Sequence, residues 1–265
     1  MTRPFVTTTV NGTLYDCPKY YDLVFGVGAD LECEFLKGCF DLHADRRVRR
    51  LFEPACGSGR LLVKLAECGF QVFGWDTNRA SVDYCNNRFK RRGLPPPAVL
   101  GDVVNVSLPS KVDAAFNMIS SFQLLPTERA AESHLRSMAA NVAKGGLYIL
   151  GLHLMPSRGA PIRRERFAAT RGKLSVVCRI WTKQICSKQR EVRCGMITEV
   201  RTPRARVRIA EDCVFRAYSV AQIQRLFDNV GHFEPVATYD YNYDLTNPIS
   251  VGPETQDVVY VLRRR

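Results

Sequence analysis

The apolar positions of the chain follow two periods, which predicts a protein of mixed helices and strands. Short continuous apolar runs are typical of strands buried on both faces, and apolar residues three or four positions apart are typical of helices. The predicted strands lie at residues 51–52, 71–75, 98–100, 112–117, 147–154, 233–241 and 256–262. The predicted helices lie at residues 29–43, 60–67, 80–92, 127–143 and 219–229. This alternation indicates an α/β fold with helices on both faces of one sheet.

A different pattern occupies the region between the fifth strand and the last helix. The stretches 174–184, 191–201 and 206–215 alternate apolar and polar residues with the period of half-buried strands. The segment ahead of them, residues 158–170, is polar and basic, and no strand is predicted there. The chain is therefore predicted to comprise an N-terminal lid segment and helix (1–45), a core (46–155 and 219–265) and a small inserted antiparallel β subdomain (156–218).

The turn between the first strand and its helix has the features of a ligand site. Gly57 and Gly59 let the backbone approach a bound molecule with no Cβ in the way. The helix that follows presents free N–H groups and the positive end of its dipole. Asp76 ends the next strand, where a carboxylate can accept both hydroxyls of a ribose. The unit therefore suits a cofactor that contains a nucleoside.

Two residues separate the candidate cofactors. The fingerprint of dinucleotide-binding proteins has a third glycine for close packing of helix on strand, and that position holds Leu62. Glu53, just before the turn, would repel a diphosphate but could receive an amino group. S-adenosylmethionine, which carries an ammonium, a carboxylate and a ribose, therefore fits better than a dinucleotide.

The segment EPACGSGR, Glu53–Arg60, resembles the first motif of the class I S-adenosylmethionine-dependent methyltransferases, with the pattern acid-x-small-x-Gly-x-Gly. Asp76, Asp102 and the Gly145–Gly146 turn match further family positions in the same order. The resemblance covers residues 20–155 and the last 50, and it implies a Rossmann-like seven-stranded sheet and S-adenosylmethionine as methyl donor. It implies as cofactor-binding residues Tyr21, Glu53, Ala55, Gly57, Ser58, Gly59, Asp76, Thr77, Asp102, Val103 and Asn117.

The predicted catalytic residues lie near the same edge of the sheet. Methyl transfer from a sulfonium depends mostly on positioning and desolvation, but a protonated acceptor also needs a base. His153, Tyr21 and Tyr241 are predicted for this role, with Asp240 as a further candidate. The fourth strand ends in the sequence NMIS (117–120), without the Asn/Asp/Ser-Pro-Pro-aromatic motif common in enzymes that methylate amino groups of nucleic-acid bases. A small-molecule acceptor, methylated at oxygen or nitrogen, is therefore expected.

The composition limits the possible domain organisation, cellular location and metal content of the protein. With 265 residues, 46% hydrophobic and 24% charged, the chain is long enough for one large α/β domain. No apolar run reaches the roughly 18–20 residues of a membrane span, and the N-terminus lacks the apolar core of a secretory signal. Ten cysteines are scattered without a C-x-x-C pair or a histidine at ligand spacing. Reduced thiols, no metal and a cytoplasmic location are therefore predicted.

The positive charge leaves alternatives open. Residues 1–150 carry 18 Lys/Arg against 15 Asp/Glu, whereas residues 151–265 carry 20 against 11. A basic half can attract nucleic acid or an acidic small molecule, or it can be only a solubilising face. An RNA methyltransferase that uses the basic insertion is one alternative, and a silent S-adenosylmethionine-binding module is another. The insertion itself could cover the substrate, form a homodimer contact or be purely structural.

Overall fold

The larger of two sheets forms the core. The computed structural model describes residues 7–10 and 12–265. In spatial order, the seven strands of this sheet are β11 (Phe233–Tyr239), β12 (Asp257–Arg264), β6 (Val142–His153), β5 (Val112–Asn117), β2 (Arg50–Pro54), β3 (Gln71–Asp76) and β4 (Ala98–Leu100). All pairs from β6 to β4 are parallel, and β12 runs antiparallel to both of its neighbours. The predicted fold class is confirmed.

Helices cover both faces of this sheet. They are α2 (Ala29–His43), α3 (Arg60–Glu67), α4 (Arg79–Lys90), α5 (Glu128–Asn141) and α6 (Val220–Val230), whereas α1 (Pro18–Phe25) packs against the smaller sheet. Leu51 and Phe52, neighbours on β2, point into different apolar clusters because successive strand residues face opposite sides. The Leu51 cluster is completed by α2, α3 and α4, and the Phe52 cluster by α5 and α6. Both faces are therefore closed by buried apolar surface.

The smaller sheet has five strands, of which the sequence predicts three. In spatial order they are β1 (Thr7–Val10), β10 (Arg206–Arg216), β9 (Glu191–Arg201), β8 (Leu174–Cys186) and β7 (Arg164–Arg171). The prediction of no strand in residues 158–170 is wrong. On β7 the exposed Arg164 and Arg166 alternate with the inward-facing Glu165 and Phe167. Because Glu165 is charged, the inward-facing positions do not form the regular apolar pattern that predicts a strand.

The N-terminal segment also differs from the prediction. Strand β1 pairs in parallel with β10, so it belongs to the smaller sheet. Tyr20 and Tyr21 lie in α1, which begins with Pro18 at its first position, where a proline costs no hydrogen bond. The backbone N–H of Leu14 donates to the Glu211 carboxylate on β10 (2.7 Å). The N-terminal segment therefore runs from the smaller sheet to the core.

The boundary between α5 and β6 also differs from the prediction. The preceding helix ends at Asn141, and β6 begins at Val142 rather than at the predicted Leu147. Val142 pairs with Val112 ahead of an irregularity, and Gly145 there has a φ of +73°. The carboxyl ends of the parallel strands meet at one edge, and the smaller sheet lies against that edge.

Candidate functional site

The loop after β2 has the backbone that its glycines predict. Gly57 and Gly59 have φ values of +52° and +66°, and Ala55 has +56°, in the left-handed region that favours glycine. A Cβ on Gly59 would lie 2.3 Å from the Cys85 sulfur, so only glycine fits there. A Cβ on Gly57 would meet nothing within 4 Å, so this part of the loop is open to a ligand.

Asp76 holds this loop against the end of β3. Its Oδ2 accepts a hydrogen bond from the Gly57 N–H (2.7 Å), and its Oδ1 accepts one from the Asn78 N–H (2.8 Å). Burial raises the pKa of Asp76, and the hydrogen bonds from the backbone oppose that shift. The carboxylate thus lies at the carboxyl edge, next to the open backbone of Gly57.

Glu53 is a buried acid with an unsatisfied oxygen. No hydrogen-bond partner reaches its Oε2 among the described residues. Burial raises the pKa of Glu53 well above its ordinary value, while the nearby Arg60 guanidinium opposes the shift. A buried polar atom without a partner is costly, and an ammonium donor would satisfy this one. The open Gly57 backbone and the unpartnered Glu53 oxygen therefore fit the amino-acid end of S-adenosylmethionine.

The other predicted cofactor residues play varied local roles. The Asn117 side chain is buried and already paired, donating to the Pro54 carbonyl (2.9 Å) and accepting from the Phe122 N–H (3.3 Å). Asp102 is exposed after β4, and it accepts from the Val104 N–H (2.9 Å). Thr77 is exposed and Val103 half-buried, each beside one of the two acids. The binding roles of these residues stay predictions.

Two ion pairs join the N-terminal helices to the helices beside the loop after β2, and neither was predicted from the sequence. Arg60 and Glu32 are buried and form two hydrogen bonds, of 2.5 and 2.7 Å. Asp22 on α1 accepts from Ser58 of the loop (3.2 Å) and from Arg88 of α4 (2.5 Å). The available signal was a charged residue on the apolar face of a helix, as Glu32 is on α2.

A cavity of about 190 Å³ lies between the carboxyl edge of the core and the inner face of the smaller sheet. The core contributes residues that follow β5 and β6, and the smaller sheet contributes residues of β7 to β10. Its aromatic and apolar walls include Tyr15, Tyr21, Phe25, Ile119, Phe167, Ile180, Met196 and Phe215. Its polar residues include Ser120, Gln123, His153, Glu165 and Asp257. The smaller sheet therefore covers a space large enough for a small molecule.

The cavity brings His153 together with two carboxylates. Its Nδ1 lies 2.5 Å from Asp257 Oδ1, and Asp257 pairs with His153 across β12 and β6. Burial lowers the pKa of His153, but the bond to Asp257 and the charges of Asp257 and Glu165 outweigh it and raise the pKa above 6.5. Burial also raises the pKa of Glu165. Asp257 and Glu165 were missed because nothing in a strand pattern marks one acid as facing a distant histidine.

The two predicted tyrosines have a different chemistry from His153. Burial raises the pKa of Tyr21 to about 12 and that of Tyr241 well above its ordinary value, so both stay protonated near neutral pH. The Tyr241 hydroxyl lies 3.4 Å from the Ser120 hydroxyl, and its ring packs edge-on against His153 at 5.1 Å. Asp240 bonds locally to Asn242 instead (2.7 and 2.9 Å). Of Tyr21, Tyr241 and His153, only His153 can act as a base at neutral pH.

Within residues 7–10 and 12–265, no group of three or more His, Cys, Asp or Glu side chains could hold a metal ion. No helix in the same part of the chain is long and apolar enough to cross a bilayer. All ten cysteines are free thiols.

Comparison with known proteins agrees with this geometry. Residues 52–146 match the family model of a methyltransferase domain. An S-adenosylmethionine-dependent methyltransferase from Clostridium acetobutylicum is 17% identical, with a TM-score of 0.70 over 95% of this chain and 96% of that one. The sugar N-methyltransferase KedS8 from Streptoalloteichus is 16% identical, with a TM-score of 0.72 over 100% and 98%.

A third structure, of CalS10, contains bound S-adenosylmethionine. This amino pentose methyltransferase from Micromonospora echinaspora is 16% identical, with a TM-score of 0.68 over 97% of this chain and 98% of that one. No curated protein matches the sequence. At these identities the structural likeness establishes a shared fold that extends over almost the whole chain, the smaller sheet included.

Proposed function

We propose that the chain, a class I S-adenosylmethionine-dependent methyltransferase by its matched domain and its fold, methylates an amine nitrogen of a small molecule. The observation that carries the choice of nitrogen is the cluster of His153, Asp257 and Glu165 in the covered cavity. Two carboxylates beside one imidazole favour a cationic acceptor, and a histidine is suited to remove its proton near neutral pH.

The cofactor would lie along the loop after β2. In this arrangement Glu53 would receive the ammonium of S-adenosylmethionine, the open backbone of Gly57 would leave room for the amino-acid part, and Asp76 would accept hydrogen bonds from the ribose hydroxyls. Asp102 would contact the adenine amino group, as the resemblance implies. When bound, the cofactor would supply a methyl group on a sulfonium, whose sulfur keeps the electron pair of the broken bond. Tyr21, which lines the cavity and lies near Glu53 and Asp76, would separate the site from water.

The acceptor would be prepared by His153. The amine enters the cavity as an ammonium, and the neutral imidazole takes one proton from it, with Asp257 stabilising the resulting imidazolium. The nitrogen lone pair freed in this way would then be available to accept the methyl group. Tyr241 and Ser120 offer hydroxyl groups beside this point, and they are proposed to orient the amine.

The relatives and the cavity support a small acceptor over RNA. Two of the structural neighbours are named for methylation of a sugar or an amino pentose. The smaller sheet covers the cavity, whereas a nucleic-acid base must be delivered on a long polymer that needs an open approach. The loop after β2 is intact, with Glu53 unpartnered and Asp76 in place, and this favours an active enzyme rather than a module that only binds S-adenosylmethionine. A cytoplasmic location is proposed from the ten free thiols, and a homodimer stays a prediction.

Titration calorimetry tests the donor, with turnover as the second readout. Wild type should bind S-adenosylmethionine and its demethylated product, and Asp76→Ala should lose at least about tenfold in affinity, since a hydrogen bond to a charged group contributes about 1.5–3 kcal/mol. With amino sugars as acceptors, the enzyme should then convert S-adenosylmethionine to S-adenosylhomocysteine, whereas with their hydroxyl analogues it should not. A folded wild type that binds neither ligand would overturn the assignment, and turnover of the hydroxyl analogues alone would overturn the choice of nitrogen.

A further inference from the structure

Two cysteine thiols lie side by side in the part of the smaller sheet that covers the cavity. Cys194 on β9 and Cys213 on β10 are directly opposite in the antiparallel register, so their side chains lie on the same face of the sheet. Both line the cavity, and both are free thiols. The Cys213 thiol donates to the Cys194 carbonyl, with 3.8 Å between sulfur and oxygen. The sheet therefore presents a dithiol to the cavity, and the proposed methyl transfer leaves this dithiol unused.

The backbone of β9 and β10 already provides the spacing of a disulfide. Residues directly opposite in an antiparallel pair have Cα atoms about 4.5 or about 5.5 Å apart, depending on the type of pair. Disulfides join residues whose Cα atoms are about 4.4–6.8 Å apart, so either spacing fits. A bond between Cys194 and Cys213 therefore requires rotation of the side chains and at most a slight approach of the two strands.

The surroundings of the two thiols make Cys194 the more reactive one. The hydrogen bond from the Cys213 thiol lowers the pKa of Cys194 and outweighs the effect of burial, and the hydroxyl of Thr182, opposite on β8, lowers it further. The same bond to Cys194, together with burial, raises the pKa of Cys213, so Cys213 keeps its proton. Oxidants react with the thiolate form of cysteine. Cys194 is therefore the residue that reacts first, and Cys213 is placed to react second.

We infer that Cys194 and Cys213 are a covalent modification site, at which a peroxide oxidises the dithiol to a disulfide. The Cys194 thiolate attacks one peroxide oxygen, the O–O bond breaks, and the leaving hydroxide takes up a proton to form water. The sulfenic acid left on Cys194 is then attacked by the Cys213 sulfur. The S–S bond forms as the S–O bond breaks, and the hydroxyl leaves with the Cys213 proton as a second water. The two sulfurs lose two electrons, and the peroxide gains them.

The disulfide changes the wall of the cavity and leaves the loop after β2 as it is. It joins β9 to β10 where both strands line the cavity, whereas neither cysteine belongs to the predicted cofactor-binding residues. Oxidation therefore lowers turnover of the acceptor and keeps the affinity for S-adenosylmethionine. This effect on turnover rests on the proposed function, but formation of the disulfide does not.

Peptide mapping of the full chain tests the disulfide. Wild type is treated with hydrogen peroxide, its remaining thiols are alkylated, and trypsin then cleaves after arginine and lysine. Cys194 is released in the peptide 194–201 and Cys213 in the peptide 209–216. Mass spectrometry should find these two peptides joined after oxidation and separate after dithiothreitol. Absence of the joined pair from oxidised wild type would overturn the inference.

A second thiol pair in the same chain is the internal control. Cys56 and Cys85 are also hydrogen-bonded to each other, but both are buried in the core and neither lines the cavity. Peroxide should leave their peptides separate. Oxidation of Cys56 and Cys85 to the same extent would overturn the assignment of a specific site to Cys194 and Cys213.

Turnover with amino sugars, measured with and without peroxide, tests the effect of the bond. Wild type should lose turnover and regain it with dithiothreitol, which reduces a disulfide but not a sulfoxide on the neighbouring Met196. Cys194→Ser/Cys213→Ser should show no such loss. Cys186→Ser is the matched control and should respond like wild type, because Cys186 is a half-buried cysteine of β8 outside the cavity lining.

The outcomes separate the inference from the proposed function. An equal loss of turnover in the double serine variant, or a joined peptide pair without loss of turnover, would overturn the effect assigned to the disulfide. A loss of S-adenosylmethionine affinity in oxidised wild type would do so as well. Absent turnover by the reduced wild type would contradict the proposed function alone, since the peptide map decides the disulfide without an acceptor.

Discussion

At the scale of single residues, the surroundings of three predicted catalytic side chains give them different protonation states at neutral pH. Tyr21, Tyr241 and His153 are all titratable and all lie near the carboxyl edge. Burial raises the pKa of both tyrosines, which keeps their protons in place. His153 differs, since burial lowers its pKa but the effects of Asp257 and Glu165, which raise it, are larger in sum. The neighbours thus leave the tyrosines as hydrogen-bond donors and His153 as the proposed base.

The pH dependence of turnover should report this balance. The base must be neutral, so kcat/KM should rise with pH and level off above a midpoint higher than 6.5. In Asp257→Asn the carboxylate that raises the pKa of His153 is lost and burial still lowers it, so the midpoint should move to lower pH. Rates measured in buffers of constant ionic strength test this. The assignment of His153 as the base is contradicted if the midpoint stays unchanged in Asp257→Asn, or if kcat/KM of His153→Gln rises with pH as in wild type.

At the scale of elements, one buried ion pair attaches α2 to the start of α3. Glu32 and Arg60 have side chains only 7% and 6% exposed, and Arg60 directly follows Gly59 of the loop after β2. The pair orients α3, which begins at the proposed cofactor site. Glu34 and Lys37, on the same helix α2, form a second pair (2.7 Å) whose side chains are 69% and 30% exposed.

The two pairs should respond very differently to mutation. Glu32→Ala leaves a buried guanidinium without its partner, and we expect a loss of about 3–5 kcal/mol in the free energy of unfolding. Glu34→Ala should cost less than about 1 kcal/mol, since exposed pairs are screened by water. Urea denaturation followed by circular dichroism gives both values. Equal losses in the two variants would contradict the structural role assigned to the Glu32–Arg60 pair.

At the scale of the whole molecule, Gln123 joins the two sheets. Its side-chain nitrogen donates to the carbonyls of His153 and Arg216 (both 3.0 Å), and its oxygen accepts from the His153 N–H (2.8 Å). One buried amide thus links the end of β6 to the end of β10. The cavity proposed to hold the acceptor lies between these sheets, so its geometry depends on this contact.

Removing the amide should affect catalysis more than cofactor binding. In Gln123→Ala three hydrogen bonds are lost, and we expect about 1–3 kcal/mol of destabilisation and a lower kcat at unchanged S-adenosylmethionine affinity. Gln224→Ala removes an exposed amide bonded to Asp228 (3.0 Å) and should change neither. Steady-state kinetics give kcat for both variants, and titration calorimetry gives their S-adenosylmethionine affinity. A loss of cofactor affinity equal to the loss of kcat would show that Gln123 does not act through the acceptor cavity.

Much of the core could be predicted because its information is local. The Gly57 and Gly59 turn, the acid after β3 and the apolar periods of the helices are each contained in a few adjacent residues. Strand β7 escaped prediction because charged residues occupy both of its faces near the cavity, Arg164 and Arg166 outside and Glu165 inside. Strand β1 escaped because its pairing partner, Arg206–Ile209, lies about 200 residues away.

The sequence by itself determined the α/β core, the methyl-donor motif and the antiparallel character of the insertion, since backbone periodicity and glycine geometry act over short distances. Only the tertiary structure decided which acids surround His153. Asp257 lies 104 residues further along the chain and Glu165 is on a different sheet. Their meeting depends on how β12 pairs with β6 and on how the smaller sheet packs over the core. No local pattern encodes such long-range pairings.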